Sequence, residues 1–381
     1  MVSTSSTNED PPRPARGVSI VLAGGGTAGH TSPLIATAER LREQEPGVRL
    51  VSVGTPKGLE SRVIPAAGLD LRMIPPVPLP RKLTPALLGV PARLWGAVRQ
   101  ARAILDDVDA DAVVGFGGYV SLPVYLAARL RRTPVVIHEQ NAVPGLANKV
   151  AARFAAVTAV SFPDTPLPKA RYVGLPVKAA LSSLDKAAEQ DAARTALGFA
   201  AGRPLLLVSG GSQGAVAINT AVVGARDRLL AAGIDVLHVL GPKNITDADT
   251  AVTDPATGAT YRPVGYVDAM EQAYAAADLM VGRSGAGTVV ETATVGLPVV
   301  FVPLPHGNGE QARNATFLVE GGAGVLVPNA ELDADRLLAE VLPIMTDPER
   351  LRRMAAACRG LVPPDAASDL ARIVLDVAKG K

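Results

Sequence analysis

The 381-residue chain has few cysteines, few histidines and few aromatic side chains, and each shortage excludes something. A single cysteine, Cys358, rules out an intramolecular disulfide and a cysteine-rich metal site, and it fits a reducing compartment such as the cytoplasm. Lysine and arginine exceed aspartate and glutamate by only two, so net charge points to no partner and any electrostatic signal must come from clustering. Long apolar runs are missing as well. Residues 18–38 carry no Asp, Glu, Lys or Arg, but Gly, Thr and Ser dilute them below the apolar density of a spanning helix. Residues 1–16 are polar and proline-rich, with no apolar core of the length a secretory signal needs, and read as a disordered leader.

What is present is apolar and periodic. With 48% hydrophobic residues the chain can build more than one core, and two domains are expected. Short β-branched runs (VSIVLA, VRLVSV, DAVVGF, TPVVIHE, then PLLLVSGG, VLHVLG, DLMVGR, LPVVFVPL) alternate with helical patterns such as HTSPLIATAERLREQ and GTVVETATVG. That alternation is the signature of βαβ units around parallel sheets, so the class is α/β. The pattern also restarts: SIVLAGGGTAGH and PLLLVSGGSQGA share a strand, a glycine pair and a helix start, with Gly25 matching Gly210. YVGLPVK (172–178) separates the halves, giving expected domains at residues 17–175 and 176–381, with the last helix packing back on the first. In two facing open sheets, ligands bind where the strand carboxyl ends meet.

Gly24, Gly26 and Gly29 satisfy the GxGxxG pattern, yet the second strand runs into Gly54, Thr55 and Pro56 rather than the acidic residue a dinucleotide ribose requires. The loop is therefore either a tight turn or a place where backbone N–H groups and a helix N-terminus meet an anion, with Gly25 and Gly26 as its phosphate-facing residues. In VGRSGAGTVVE, Arg283 and the helix-opening Ala286, Gly287 and Thr288 suit a diphosphate, and Glu291 suits the paired hydroxyls of a ribose; a solvated helix carboxylate is the plainer reading of Glu291. PHGNGEQARNA presents Glu310, Gln311 and Asn314, able to read sugar hydroxyls or merely to form a polar loop. HEQNAVPG crowds four polar side chains at a strand end; His138 reads as a histidine satisfied by nearby backbone, with Glu139 and Asn141 better placed for chemistry, and His238 reads as core.

Residues 71–105 hold Arg72, Arg81, Lys82, Arg93, Arg99 and Arg102 and no acid, interleaved with Leu87, Leu88 and the only tryptophan, Trp95. A helix is expected from Thr84 and Pro85, bending at Pro91. Its apolar stripe is either core or a docking face for an anionic membrane. Too few further aromatics accompany the charge to stack nucleic-acid bases.

Taken in order and spacing, GGTAGH, FGGYVSLP, HEQNAVPGLANK, GGSQGA, RSGAGTVVE and GLPVVFVPLPH resemble the MurG glycosyltransferases of bacteria, from about Val18 to the end of the chain. The resemblance implies a two-domain GT-B fold. It also implies transfer of N-acetylglucosamine (GlcNAc) from UDP-GlcNAc to undecaprenyl-pyrophosphoryl-MurNAc-pentapeptide (lipid I), forming lipid II at the cytoplasmic face of the membrane. No metal or other cofactor is implied; anionic lipid and other cell-wall synthesis proteins are the further partners.

By motif, Thr27, Ala28, Gly29 and Asn141 border the donor sugar and acceptor pyrophosphate, Ser212 meets the donor phosphate, Val267 the uracil, Glu291 the ribose and Gln311 the GlcNAc hydroxyls. Ala28, Lys178, Gly287, Val290 and Glu310 depart from the family pattern, and a lysine at 178 does not reproduce a bidentate guanidinium contact. The implied reaction is inverting, with His30 as base, Glu139 in reserve, and Arg283 with the backbone around Ser212 and Ala286 meeting the leaving charge. A UDP-GlcNAc 2-epimerase, another GT-B lipid glycosyltransferase and a noncatalytic UDP-sugar-binding module are the competing readings.

Overall fold

The computed structural model describes residues 17–77, 89–306 and 308–380. In the first half, β1 (Ser19–Ala23), β2 (Arg49–Gly54), β3 (Asp70–Met73), β4 (Ala112–Gly115), β5 (Val135–Glu139), β6 (Val157–Val160) and β7 (Ala170–Tyr172) form one sheet in the order β3-β2-β1-β4-β5-β6-β7. Every pairing in it is parallel. Parallel neighbours need crossovers, here α1 (Ala28–Gln44), α2 (Glu60–Ala66), α3 (Val90–Asp107), α4 (Gly118–Arg131) and α5 (Leu146–Ala151).

The second half opens with α6 (Ala179–Ser182) and α7 (Lys186–Ala196). Its strands are β8 (Leu205–Ser209), β9 (Asp235–Val239), β10 (Val252–Thr253), β11 (Thr260–Val264), β12 (Leu279–Gly282), β13 (Val299–Phe301) and β14 (Gly324–Leu326), ordered β10-β11-β9-β8-β12-β13-β14. Only the edge strand β10 runs antiparallel to its neighbour. The helices are α8 (Val216–Ala231), α9 (Met270–Ala276), α10 (Ala286–Val295), α11 (Glu310–Glu320), α12 (Ala334–Met345), α13 (Pro348–Leu361) and α14 (Ala366–Ala378).

The central strands β1, β4, β5, β8, β9 and β12 are buried along their whole length, as expected of parallel strands covered by helices on both faces. Alternate residues of β1 feed two cores. Val21 and Ala23 pack with α3 and α4 through Val98, Ala101 and Val124, while Ile20 and Leu22 pack with Leu34 and Leu41 of α1 and Leu370 and Val374 of α14. Thus α14, last in the chain, closes the first sheet, and Gln44 of α1 donates to the Ser368 carbonyl at its start.

In each sheet the strand order reverses at one point, between β1 and β4 and between β8 and β12, and the loops leaving those four strands open the crevices where ligands bind in such folds. Pro91 stands in the first turn of α3, where a missing N–H costs no hydrogen bond, rather than at the bend expected inside a longer helix. The expected helix start at Thr84 and Pro85, the leader 1–16, and Arg81, Lys82, Leu87 and Leu88 lie outside the described residues. Among the described residues no helix is long and apolar enough to cross a membrane.

Candidate active site

The first crevice is built from glycine. After β1, Gly26 takes φ +89°, and Thr27 in extended conformation opens α1, so that His30 falls in the first helical turn with Thr27 Oγ1 3.1 Å from its Nδ1. Opposite, the chain leaves β4 through Gly117 and Gly118, both at positive φ; a Cβ on Gly118 would lie 2.7 Å from the Gly25 carbonyl oxygen, so only glycine lets α4 begin this close to the loop. Burial lowers the pKa of His30, and the Gly25 carbonyl and the charge of Glu60 oppose that fall without reversing it. The imidazole is therefore neutral at neutral pH, the form that accepts a proton.

At the end of β5, Glu139 is buried and fully engaged. Its Oε1 accepts the Asn141 N–H at 3.0 Å; its Oε2 accepts the Gly145 N–H at 3.0 Å and Asn148 Nδ2 at 2.9 Å. Burial raises its pKa, and these three donors hold it back. The carboxylate shapes the loop that carries Asn141. His138 donates through Nε2 to the Gly174 carbonyl at 2.8 Å and accepts at Nδ1 from Gln140, so it ties β5 to the segment joining the halves; burial pushes its pKa down to about 4. His238, equally buried, meets Tyr261 Oη and Asn219 Oδ1.

Three sequence expectations change here. The Gly26 N–H, expected to face a phosphate, is already donated to Glu60 Oε2 at 2.8 Å, which leaves the N-terminus of α1 to meet an anion. Arg283 is expected at a leaving diphosphate, but its Nη1 is tied to the carbonyls of Val302 and Pro303 and to Asn329 Oδ1 at 2.8–3.1 Å, so it clamps the loop after β13. Asn314, expected either to read sugar hydroxyls or to belong to a polar loop, is completely buried: its Oδ1 accepts the Ala142 N–H and its Nδ2 donates to Asn141 Oδ1 and the Ser284 carbonyl, latching α11 to the first half.

The remaining second-half residues line the carboxyl edge of the other sheet. Ser212 is exposed in the glycine loop after β8. On α10, Glu291 Oε2 accepts the Tyr274 hydroxyl at 3.1 Å; burial raises the carboxyl's pKa, and the Tyr274 bond and the charge of Lys178 bring it back down in part. Gly287 lies beside this carboxyl, a Cβ there falling 3.7 Å from Glu291 Oε1, an ordinary contact distance. Gln311 receives the Leu304 N–H at Oε1, which orients its amide. Val267 borders a cleft of about 330 Å³ between β11 and α9, together with Tyr266 and Gln272.

His30, Glu139 and Asn141 from the first half, and Asn308 and Glu310 from the second, line one cavity of about 370 Å³ between the halves. Ser212, Val267 and Glu291 do not line it. Reading the sequence missed Glu60, Tyr119 and Asn148; Glu60 lies just beyond the strand end where an acidic residue was sought, and folds back onto it.

The glycosyltransferase family 28 N-terminal domain matches residues 20–160, and the family 28 C-terminal domain matches residues 205–370. Over 367 residues the chain is 64% identical to the UDP-N-acetylglucosamine–N-acetylmuramyl-(pentapeptide) pyrophosphoryl-undecaprenol N-acetylglucosamine transferase of Cutibacterium acnes, covering 95% of this chain and 98% of that protein. It is 54% identical over 361 residues to the Nocardioides sp. protein of the same name, again covering 95% and 98%. The crystal structure of Acinetobacter baumannii MurG superposes with a TM-score of 0.75 at 29% identity, over 94% of this chain and 99% of that one. Two Rossmann-like halves facing a cleft, matched along nearly their whole length by these proteins, place the chain in the MurG family of GT-B glycosyltransferases.

Proposed function

We propose that the protein transfers GlcNAc from UDP-GlcNAc to the 4-hydroxyl of the muramyl sugar of lipid I, with inversion, giving lipid II. The observation that carries this reading is the cavity between the halves, which a neutral His30 lines together with Asn141 of its own half and Glu310 of the other. An inverting displacement needs one base for the attacking hydroxyl and one stabilised leaving group. His30 takes the hydroxyl proton as the oxygen bonds to the anomeric carbon; Glu139, its oxygens occupied by three donors, serves the loop instead. The bond to UDP breaks on the opposite side, and backbone donors of the loop after β8, with the N-terminus of α10, meet the charge. Glu291, steadied by Tyr274, accepts from the ribose hydroxyls, and the Gln311 amide faces those of GlcNAc.

The acceptor's lipid requires the cavity to open at a membrane. Leu94 of α3 lines the cavity, and Trp95, 58% exposed, stands with Arg99 on the outer side of the same helix, next to Arg102, which pairs with Asp106 at 3.8 Å. That combination fits peripheral docking on an anionic cytoplasmic leaflet. The names of the similar proteins favour transfer over epimerisation. Radiolabelled UDP-GlcNAc incubated with and without a lipid I analogue tests the reading: label in an extractable lipid, dependent on the analogue, supports it, and label in free N-acetylmannosamine overturns it.

A further inference from the structure

Glu60 takes no part in the chemistry just described, yet the first crevice is built around it. Its side chain is completely buried, and among the described residues no lysine or arginine bridges to it. Oε2 accepts the Gly26 N–H at 2.8 Å, and Oε1 accepts both the N–H and the hydroxyl of Thr55, at 3.0 and 2.8 Å. Three glycines make room for it. A Cβ would come within 2.6 Å of the carboxyl carbon from Gly25, within 2.6 Å of Cγ from Gly54, and within 2.1 Å of both oxygens from Gly58. The Thr55 hydroxyl passes the network on to Tyr119, whose ring flanks Gly26.

A buried carboxylate without a cationic partner is costly to keep. Both carboxyl oxygens accept from backbone N–H groups, so a neutral amide, with one oxygen and one NH2, would set a donor against a donor here. Burial alone would raise the carboxyl's pKa, but the hydrogen bonds from Gly26, its own N–H and Thr55 outweigh it, so the group is an anion at neutral pH. On the far side of the glycine turn lies His30, whose pKa that charge raises against burial. The other titratable groups that share a cavity with the imidazole are Glu139 at the end of β5, Tyr119 on α4 and Glu310 on α11. Of the acids among them, Glu60 is the one bonded to the loop that leads into His30.

We infer that Glu60 is a positioning residue for the transfer: a buried anion, housed by three glycines, that fixes the Gly25–Gly26 backbone and through it the place and electrostatic surroundings of His30 as that imidazole takes the sugar hydroxyl's proton. The inference rests on His30 as the base. It assigns the three glycines around Glu60 a joint task, housing a charge directly beneath the catalytic loop.

The test uses Glu60→Gln in the full chain, with Glu60→Asp as the charge-preserving control. Turnover of a soluble lipid I analogue is followed against pH, and the His30 ring is titrated by NMR, its signal assigned by loss in His30→Ala. In Glu60→Gln the His30 midpoint and the acid limb of kcat/KM are expected to fall by roughly 0.5–1 pH unit, with kcat down about tenfold and UDP affinity kept. In Glu60→Asp the midpoint is expected to stay within about 0.3 unit of the natural protein while kcat falls. An unchanged His30 midpoint in Glu60→Gln overturns the inference whatever the activity. A fully active His30→Ala would remove the base assignment, a failure read separately from the titration. Should Glu60→Gln not fold, Glu60→Asp decides alone: a lower kcat with the His30 midpoint kept within about 0.3 unit supports the inference, and an unchanged kcat or a larger shift overturns it.

Discussion

Asn314 Nδ2 lies 3.2 Å from Asn141 Oδ1, and Asn314 Oδ1 accepts the Ala142 N–H at 2.8 Å, so one buried carboxamide of the second half holds the catalytic-side loop of the first. The same Asn141 is positioned from below by Glu139. The loop is thus fixed from both halves at once.

Asn314→Ala leaves the partly buried Ala142 N–H without its acceptor. A loss of about 1–3 kcal/mol in unfolding free energy is expected, with a raised KM for UDP-GlcNAc because the halves no longer share the loop. Urea unfolding and donor saturation curves measure the two effects. Asn314→Ala as stable as the natural protein would show the latch to be idle.

Glu139→Ala is expected to cost about 10²-fold in kcat by releasing the loop rather than by removing a base. Its pH profile should keep the acid limb of the natural protein, since that limb belongs to His30. An acid limb that disappears with Glu139 would exchange the two roles.

Acid should destabilise the fold through its buried histidines. The pKa values of His138 and His238 lie at about 4 in the folded chain and near 6.5 unfolded. The unfolded chain therefore binds more protons between those values, and stability present above pH 6.5 is lost as pH falls toward 4. Each histidine accounts for up to about 3 kcal/mol of that loss. Denaturant unfolding of the natural protein and of His238→Phe at pH 5.5 and 4.5 should show a pH slope smaller by nearly one proton in the variant; equal slopes contradict the assignment.

Trp95→Ala combined with Arg99→Ser is expected to weaken binding to anionic vesicles, by about 1 kcal/mol for the charge and more for the ring, with UDP affinity unchanged. Sedimentation with vesicles measures it. Equal binding by both proteins would remove α3 from the membrane surface.

The strands buried on both faces were legible because β1, β4, β5 and β8 are continuous apolar runs that stop in glycine or a polar cluster. The edge strands were not: β7 is exposed throughout and β10 is two residues long, so neither carries a hydrophobic period. The same limit applies at the site. His30, Glu139 and Asn141 follow strand ends and could be named in advance. The work of Glu60 depends on a carboxylate folding back under a loop 34 residues earlier in the chain, and a sequence shows the charge but not the fold-back. Asn314 and Arg283 sit in motifs that suggest ligand contacts, while their actual partners come from other elements of the protein.

The central claim is that His30, at the cavity between the halves, is the base for the transfer. Single-turnover formation of labelled lipid by His30→Ala, with UDP affinity measured on the same preparation, tests it most directly. The expected result is a rate lower by about 10²–10⁴-fold with UDP binding intact; transfer at the natural rate would contradict the claim.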